Sequence, residues 1–245
     1  MKVCGIDVDS RELKVVVRKA GRNGPLRTFK NTPSDHQRLA QLLRTSGVKR
    51  VCLEATGPYH LDLALALSAT PGLEPMVLNP RAARRFAEAL CERQKTDKVD
   101  AQVLAEFAER MPFVAWKQPS AEVLELRAIA RRITALTAQR TQAKNQHHAA
   151  RASRQTPAVV LEDIELTIDQ FGEQIDRLRK AARELIAGAS FLRETLALLL
   201  SIKGVGETSA IALMGELLVL PEDMRAKQWV AVAGLDPRHH QSGAS

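Results

Sequence analysis

Aromatic side chains are scarce, only 4% of the chain. Stacking on aromatic platforms is therefore not its main way of holding a ligand. Cysteine is nearly absent as well. Cys4, Cys52 and Cys91 are odd in number, scattered and without a CxxC pair, which argues against a disulfide framework or a thiolate zinc site. They are expected to be small buried apolar residues of a reducing compartment. No run approaches the ~18 apolar residues of a membrane span. The opening "MKVCGIDVDSRE" has an acid at its seventh residue and no long apolar core, so it is not a signal peptide. These absences predict a cytoplasmic protein with no membrane partner. Acid is also in deficit: 28 Asp+Glu stand against 36 Lys+Arg, a formal charge of +8. Such a balance favours a polyanionic partner, most often nucleic acid.

What is present divides into three textures across 245 residues. Residues 1–115 alternate strand and helix patterns. "KVCGIDV" and "LKVVVRK" are apolar strand runs separated by a polar turn, and "PLRTFKN" is a weaker third. "SDHQRLAQLLRTSG" reads as a helix with Ser34 as N-cap and Gly47 as its stop. "KRVCLEA" is a buried strand ending in a carboxylate, "HLDLALALSA" is helical, "EPMVLNP" is a strand and "RAARRFAEALCE" is helical. Strands first and then β-α-β-α predict a mixed sheet with helices on its faces.

Residues 116–190 are helical in pattern. Ile164, Ile168, Phe171, Ile175, Leu178, Ala182 and Leu185 recur at spacings of four and three, a heptad seam that predicts a coiled coil. Thr156-Pro157 separates this helix from the preceding one. The two helices can fold back on each other or pair with a second subunit. From 191 to 245 two apolar helices flank "KGVGE", and the chain then runs through "WVAVAGLDPRHHQSGAS", so the sequence looks cut in a loop-like stretch.

The chemistry lies in four carboxylates. Asp7 ends the first strand and Glu54 another, so both point into one crevice if those strands are neighbours. Asp97 and Asp100, in "KTDKVDAQVLAEF", share a helix face at i and i+3. Acids in a first helical turn also stabilise the helix dipole without any further role. Four converging carboxylates, however, repel one another and resist ionising together. A hard divalent cation resolves the conflict, and Mg²⁺ prefers carboxylate and water oxygens. Two such ions about 3.5–4 Å apart form the clamp of phosphodiester chemistry. Arg93, Lys95 and Lys98 would meet the nucleic-acid backbone.

"GIDVDS", "CLEATGPY" and "KTDKVDAQVLAEF", with "LNPRAARRFA", "IKGVGETSA" and "AGLDPRHHQSG", resemble the DEDD transposases of bacterial insertion sequences, the family that includes the Piv-type DNA invertases. The resemblance runs over nearly the whole chain. It implies an RNase H-like, RuvC-type domain over 1–115, a coiled-coil insertion over 116–190, and an all-α C-terminal transposase domain over 191–245. By motif, the acidic tetrad is Asp7, Glu54, Asp97 and Asp100, and the nucleophilic serine is Ser242, with Asp9 beside the tetrad but outside its pattern. The family implies site-specific recombination of DNA, in many members guided by a structured bridge RNA. Family members continue past this serine, so the chain is expected to be a fragment or a shortened copy.

Two further stretches invite nucleic acid. From Arg127 to Gln155 there are seven basic residues, Arg127, Arg131, Arg132, Arg140, Lys144, Arg151 and Arg154, and no acid. A solvated helix mixes signs, so this run is expected to track phosphates. A dimer or tetramer through the coiled coil is expected. Lys203, Gly204 and Gly206 resemble a helix-hairpin-helix turn whose following helix start binds phosphate. A plain helix-helix turn fits the same residues. Three other functions share parts of this pattern. A RuvC-like nuclease would only hydrolyse, with Ser242 a loop residue. A shortened chain could serve as a non-catalytic nucleic-acid scaffold. An actin/hexokinase-type ATP-binding fold could begin with "GIDVDSRELKVVV", but it needs a second Asp-Gly loop and a Gly-Gly adenosine motif that the sequence lacks.

Overall fold

The computed structural model describes residues 1–90 and 97–235, with only the backbone of Asp97 and Lys98. It separates into two compact units, 1–118 and 119–245.

Unit 1 is built on β1 (Lys2–Val8), β2 (Glu12–Lys19), β3 (Arg22–Asn23), β4 (Arg27–Lys30), β5 (Arg50–Glu54) and β6 (Glu74–Leu78). The sheet order is β3-β2-β1-β5-β6, with β4 also pairing β2. β1, β5 and β6 run parallel and β2 runs against β1. Helices α1 (Pro33–Thr45), α2 (Leu61–Ser68), α3 (Pro80–Ala89) and α4 (Asp97–Arg110) complete it. This is the mixed α/β architecture that the strand and helix patterns predict. The expected helix start at Ser34 is displaced: Thr32 is the N-cap and Pro33 opens α1, since proline's missing N–H costs nothing at a first helical position. Gly47 does end the helix, at φ +73°.

Strand alternation divides the core. Cys4, Ile6, Leu13, Val15, Val51 and Leu53 pack with residues of α1 and α2. Val3, Cys52, Met76 and Leu78 face the opposite way and pack with Ala83 of α3 and Leu104 and Ala108 of α4. Cys4 and Cys52 are fully buried, and burial pushes both thiols up, Cys52 to about 12. They are inert packing groups, as expected; Cys91 lies outside the described residues.

Unit 2 contains α5 (Ala121–Ala152), α6 (Ala158–Gly188), α7 (Ser190–Leu200), α8 (Glu207–Leu217) and α9 (Ala226–Val232). α5 and α6 fold back on each other across a break at 153–157, where Pro157 caps α6. Ile175 and Ala182 of the heptad seam are buried against Leu126, Ile133 and Leu136, with Phe171, Leu178 and Leu185 packed around them. Leu192 of α7 and Ile211 and Met214 of α8 enter the same cluster, so the expected boundary near 190 runs through a shared core. At Gly215 an added Cβ would lie 2.7 Å from that of Ala130, which is how closely α8 approaches α5. Among the described residues no helix is long and apolar enough to cross a membrane.

Candidate active site

The site of unit 1 follows from register. Ile6 of β1 pairs with Leu53 of β5, so the next residues, Asp7 and Glu54, stand side by side at the carboxyl ends of adjacent parallel strands. Strand alternation puts both on the α3/α4 side of the sheet. That edge, beyond the carboxyl ends of parallel strands, is where open α/β sheets place ligands.

Asp100 arrives by a different route. α4 lies directly over β1 because Gly5 has no side chain. A Cβ at Gly5 would strike the Ala101 carbonyl oxygen and the Ala105 amide nitrogen, and would lie 2.9 Å from the Ala105 Cα. Ala101, Ala105 and Ala108 are fully buried, so small residues on the helix meet a glycine on the strand. The far end of α4 is pinned by charge. Arg18 of β2, only 5% exposed, donates from Nε to Glu109 at 2.6 Å and from Nη1 to Asn23 at 2.8 Å, and pairs with Glu106 at 3.4 Å. The Arg18 guanidinium, then the Gly21 amide, hold the Glu109 carboxyl below its ordinary range.

These two constraints bring Asp7, Glu54 and Asp100 into one cleft of about 1020 Å³. Asp9, Glu12 and Glu88 add acid to its walls, and Arg11, Lys14 and Arg84 add base. Lys14 stands opposite Asp7 across the β1–β2 pairing and donates to Glu12 at 2.6 Å. Arg84 pairs with Glu88 at 3.0 Å. The Asp9 carboxyl accepts from the Arg11 amide at 3.1 Å and the Ser10 hydroxyl at 3.0 Å, and these bonds, the first above all, lower its pKa.

The donor set of the cleft is hard: carboxylates and the Thr56 hydroxyl, with no His or Cys among the lining residues. It therefore suits a hard divalent cation and not a thiolate or imidazole metal. Among the described residues no three candidate ligands are gathered closely enough to grip an ion. The expected fourth ligand, Asp97, opens α4 one turn before Asp100, and its side chain lies outside the described residues. So do Arg93, Lys95, the side chain of Lys98, and Ser242 with the neighbouring His239 and His240.

The expected basic face of α5 is partly answered from elsewhere in the chain. Arg131 grips Glu216 of α8 with two donors, at 2.6 and 2.9 Å, and Arg127 joins at 3.5 Å. Arg132, Lys144, Arg151 and Arg154 are exposed and Arg140 is half-buried. His147 lies 2.9 Å from Glu165 of α6. At the expected hairpin turn, Gly204 is left-handed at φ +92° and Gly206 is the N-cap of α8. Glu207, in the first turn, accepts from Arg183 of α6 at 2.6 Å, so a carboxylate already stands at this helix start. Lys203 is exposed.

Sequence reasoning had not marked Gly5, Arg11, Lys14 or Arg84. Gly5 carried a usable signal, since glycine inside a strand marks a close approach of backbone. The three bases carried none, because only the cleft places them beside the acids.

Residues 4–150 match a family model for the IS110-type DEDD transposases, described as a transposase. Residues 196–245 match the Transposase IS116/IS110/IS902 family. The pilin gene-inverting proteins of Moraxella lacunata and Moraxella bovis are each 31% identical over 199 residues, covering 79% of this chain and 58% of theirs. The chain thus spans less than two thirds of the length of these curated relatives. Two RuvC structures from Thermus thermophilus, one with a Holliday junction substrate, align over 43% of the chain at 16% identity. Their TM-scores are 0.30 and 0.33, with 90% and 91% of the RuvC chains covered. With a family match over more than half its length, the chain belongs to the DEDD transposases of the IS110 type.

Proposed function

We propose that this chain cuts and rejoins DNA as a transposase or site-specific recombinase, with the acidic cleft of unit 1 as its metal site. The observation that carries this is the meeting of Asp7, Glu54 and Asp100 in one hard-oxygen cleft, in a chain of net charge +8. The sheet order, with β2 antiparallel beside a parallel core, supports an RNase H-like reading of unit 1. The folded-back α5–α6 pair supports the coiled-coil reading of the middle segment.

Asp7, Glu54, Asp97 and Asp100 would hold Mg²⁺. When bound, the ion supplies charge neutralisation at the scissile phosphate. The residues of the chain do the rest. The two strand-end carboxylates are fixed by sheet register and Asp100 by the seating of α4, so the ligand oxygens need little reorganisation when substrate enters. Arg11, Lys14 and Arg84 meet the backbone on either side. Ser242 is the nucleophile: its hydroxyl gives up its proton as Oγ bonds to phosphorus, the bond to the departing deoxyribose oxygen breaks, and that oxygen takes up a proton and leaves as a hydroxyl. Serine is weak at its free pKa. The phosphoserine link conserves the bond for rejoining, which hydrolysis does not. A structured guide RNA selects the target, and pairing between copies through the helical segment brings two DNA sites together. A hydrolytic nuclease is the second reading, favoured because every acid of the cleft belongs to unit 1.

Incubation with Mg²⁺ and a nicked DNA substrate separates the two. Recombination predicts a covalent protein–DNA adduct that Ser242→Ala removes, and loss of all cleavage in Asp7→Asn and Asp100→Asn with unchanged circular dichroism. Nicked product without adduct would favour hydrolysis. Full activity in Asp7→Asn would remove the cleft from the chemistry.

A further inference from the structure

Asn31, between β4 and α1, makes a set of contacts that neither the sheet nor the helix requires. Its amide nitrogen donates twice, to the Asp9 carbonyl at 2.8 Å and to the Tyr59 carbonyl at 3.1 Å. Its backbone N–H donates to the Arg11 carbonyl at 2.8 Å. Its amide oxygen lies 2.6 Å from Nε2 of His36. An amide oxygen only accepts, so His36 must carry its proton on Nε2. His36 sits in the first turn of α1 and is 3% exposed, and its burial keeps the imidazole pKa below its usual range. The ring is therefore a donor locked in the core, and the Asn31 amide cannot flip without breaking all three side-chain bonds.

The two carbonyls that Asn31 holds are not arbitrary. Asp9 lies two residues beyond Asp7, in the turn that leaves β1. Tyr59 lies five residues beyond Glu54, in the loop that leaves β5, where Gly57 is left-handed at φ +49°. One amide thus ties together the two segments that emerge from the paired strand ends. Upstream of Asp7 and Glu54 the sheet ladder fixes the separation. Downstream, the Asn31 amide nitrogen donates to one carbonyl in each loop.

We infer that Asn31, braced by His36, is a positioning residue that sets the spacing of the Asp7 and Glu54 carboxylates by clamping the loops that follow them. It touches neither metal nor DNA. The inference rests on the metal-site reading above and adds to it a part of the chain, the β4–α1 junction, outside the acidic motifs.

The test uses the full chain with Asn31→Ala, His36→Leu, His36→Gln and Asp7→Asn. Two quantities are read: amide hydrogen exchange over residues 9–12 and 55–61, and binding of Mn²⁺ by calorimetric titration. Asn31→Ala should speed exchange in both loops together and weaken Mn²⁺ binding by about tenfold, the lower end of the range for groups that orient metal ligands. His36→Leu should do the same, and His36→Gln, which retains an N–H donor, should restore both. If Asn31→Ala fails to fold, the contrast between the two His36 variants carries the test. Exchange that rises in one loop only, or Mn²⁺ affinity that is unchanged when both loops loosen, overturns the clamp. Asp7→Asn separates the two ideas. If the parent binds Mn²⁺ and Asp7→Asn does not, the metal reading stands and the clamp is judged alone. If Asp7→Asn binds as the parent does, the metal reading falls and takes the clamp's role with it.

Discussion

Gly5 shows how much a single missing side chain contributes. The whole approach of α4 to β1 depends on it, because any Cβ there meets helix backbone and no flexible side chain can yield. Gly5→Ala should destabilise unit 1 by about 1–3 kcal/mol, the usual cost of overpacking a tight core, as read by urea denaturation. It should also depress Mg²⁺-dependent cleavage beyond what the stability loss explains, since moving α4 carries Asp100 away from Asp7 and Glu54. An enzyme that is weakened in stability yet fully active would show that α4 need not sit so close. The acids themselves were legible in the sequence because they end apolar runs or repeat at a helical interval. The role of Gly5 was half-legible, as a glycine inside a strand. That of Asn31 was not legible, because its partners Asp9 and Tyr59 are 22 and 28 residues away and nothing local marks them.

Among the elements, α4 and α5 make opposite uses of charge. α4 brings Asp100 to the cleft at one end and, at the other, seats Glu106 and Glu109 on the buried Arg18. α5 presents a run of bases that looked uniform in sequence. It is not uniform in space, because Glu216, 85 residues from Arg131 in sequence, returns on α8 to meet Arg131 and Arg127. A window along the chain cannot see such a partner, so the run overstated its free charge. The two classes of base should therefore respond differently. Neutralising the exposed Arg132, Lys144 and Arg151 together should flatten the dependence of log K on log[salt] for nucleic-acid binding by about 0.7–0.9 per lost phosphate contact. Arg131→Ala should change that slope little and act on stability, because it breaks a two-pronged ion pair between α5 and α8. A loss of slope in Arg131→Ala equal to the loss per residue in the triple variant would mean that the Glu216 pairing does not hold in solution.

Across the whole molecule, the chain divides at 118/119 into units with separate cores. Residues 1–118 contain the sheet, the acids of the cleft, the Arg18 network and the Asn31 clamp, so they should fold alone. Expressed by themselves, they should unfold in urea as one cooperative transition. A broad, non-cooperative melt would show that unit 1 depends on the helices that follow. The alternation of strand and helix made this unit legible from sequence, whereas the shared core of α5 to α8 was hidden by the change in texture near 190. The seating of α4 on β1 also has a consequence in time. Asp7 is made among the first residues and Asp100 only after nearly all the rest of unit 1. At about 5–20 residues per second, synthesis separates the two by roughly 5–20 s. Throughout that interval a growing chain lacks Asp100 and the helix that carries it, so the cleft is completed only late in the synthesis of unit 1.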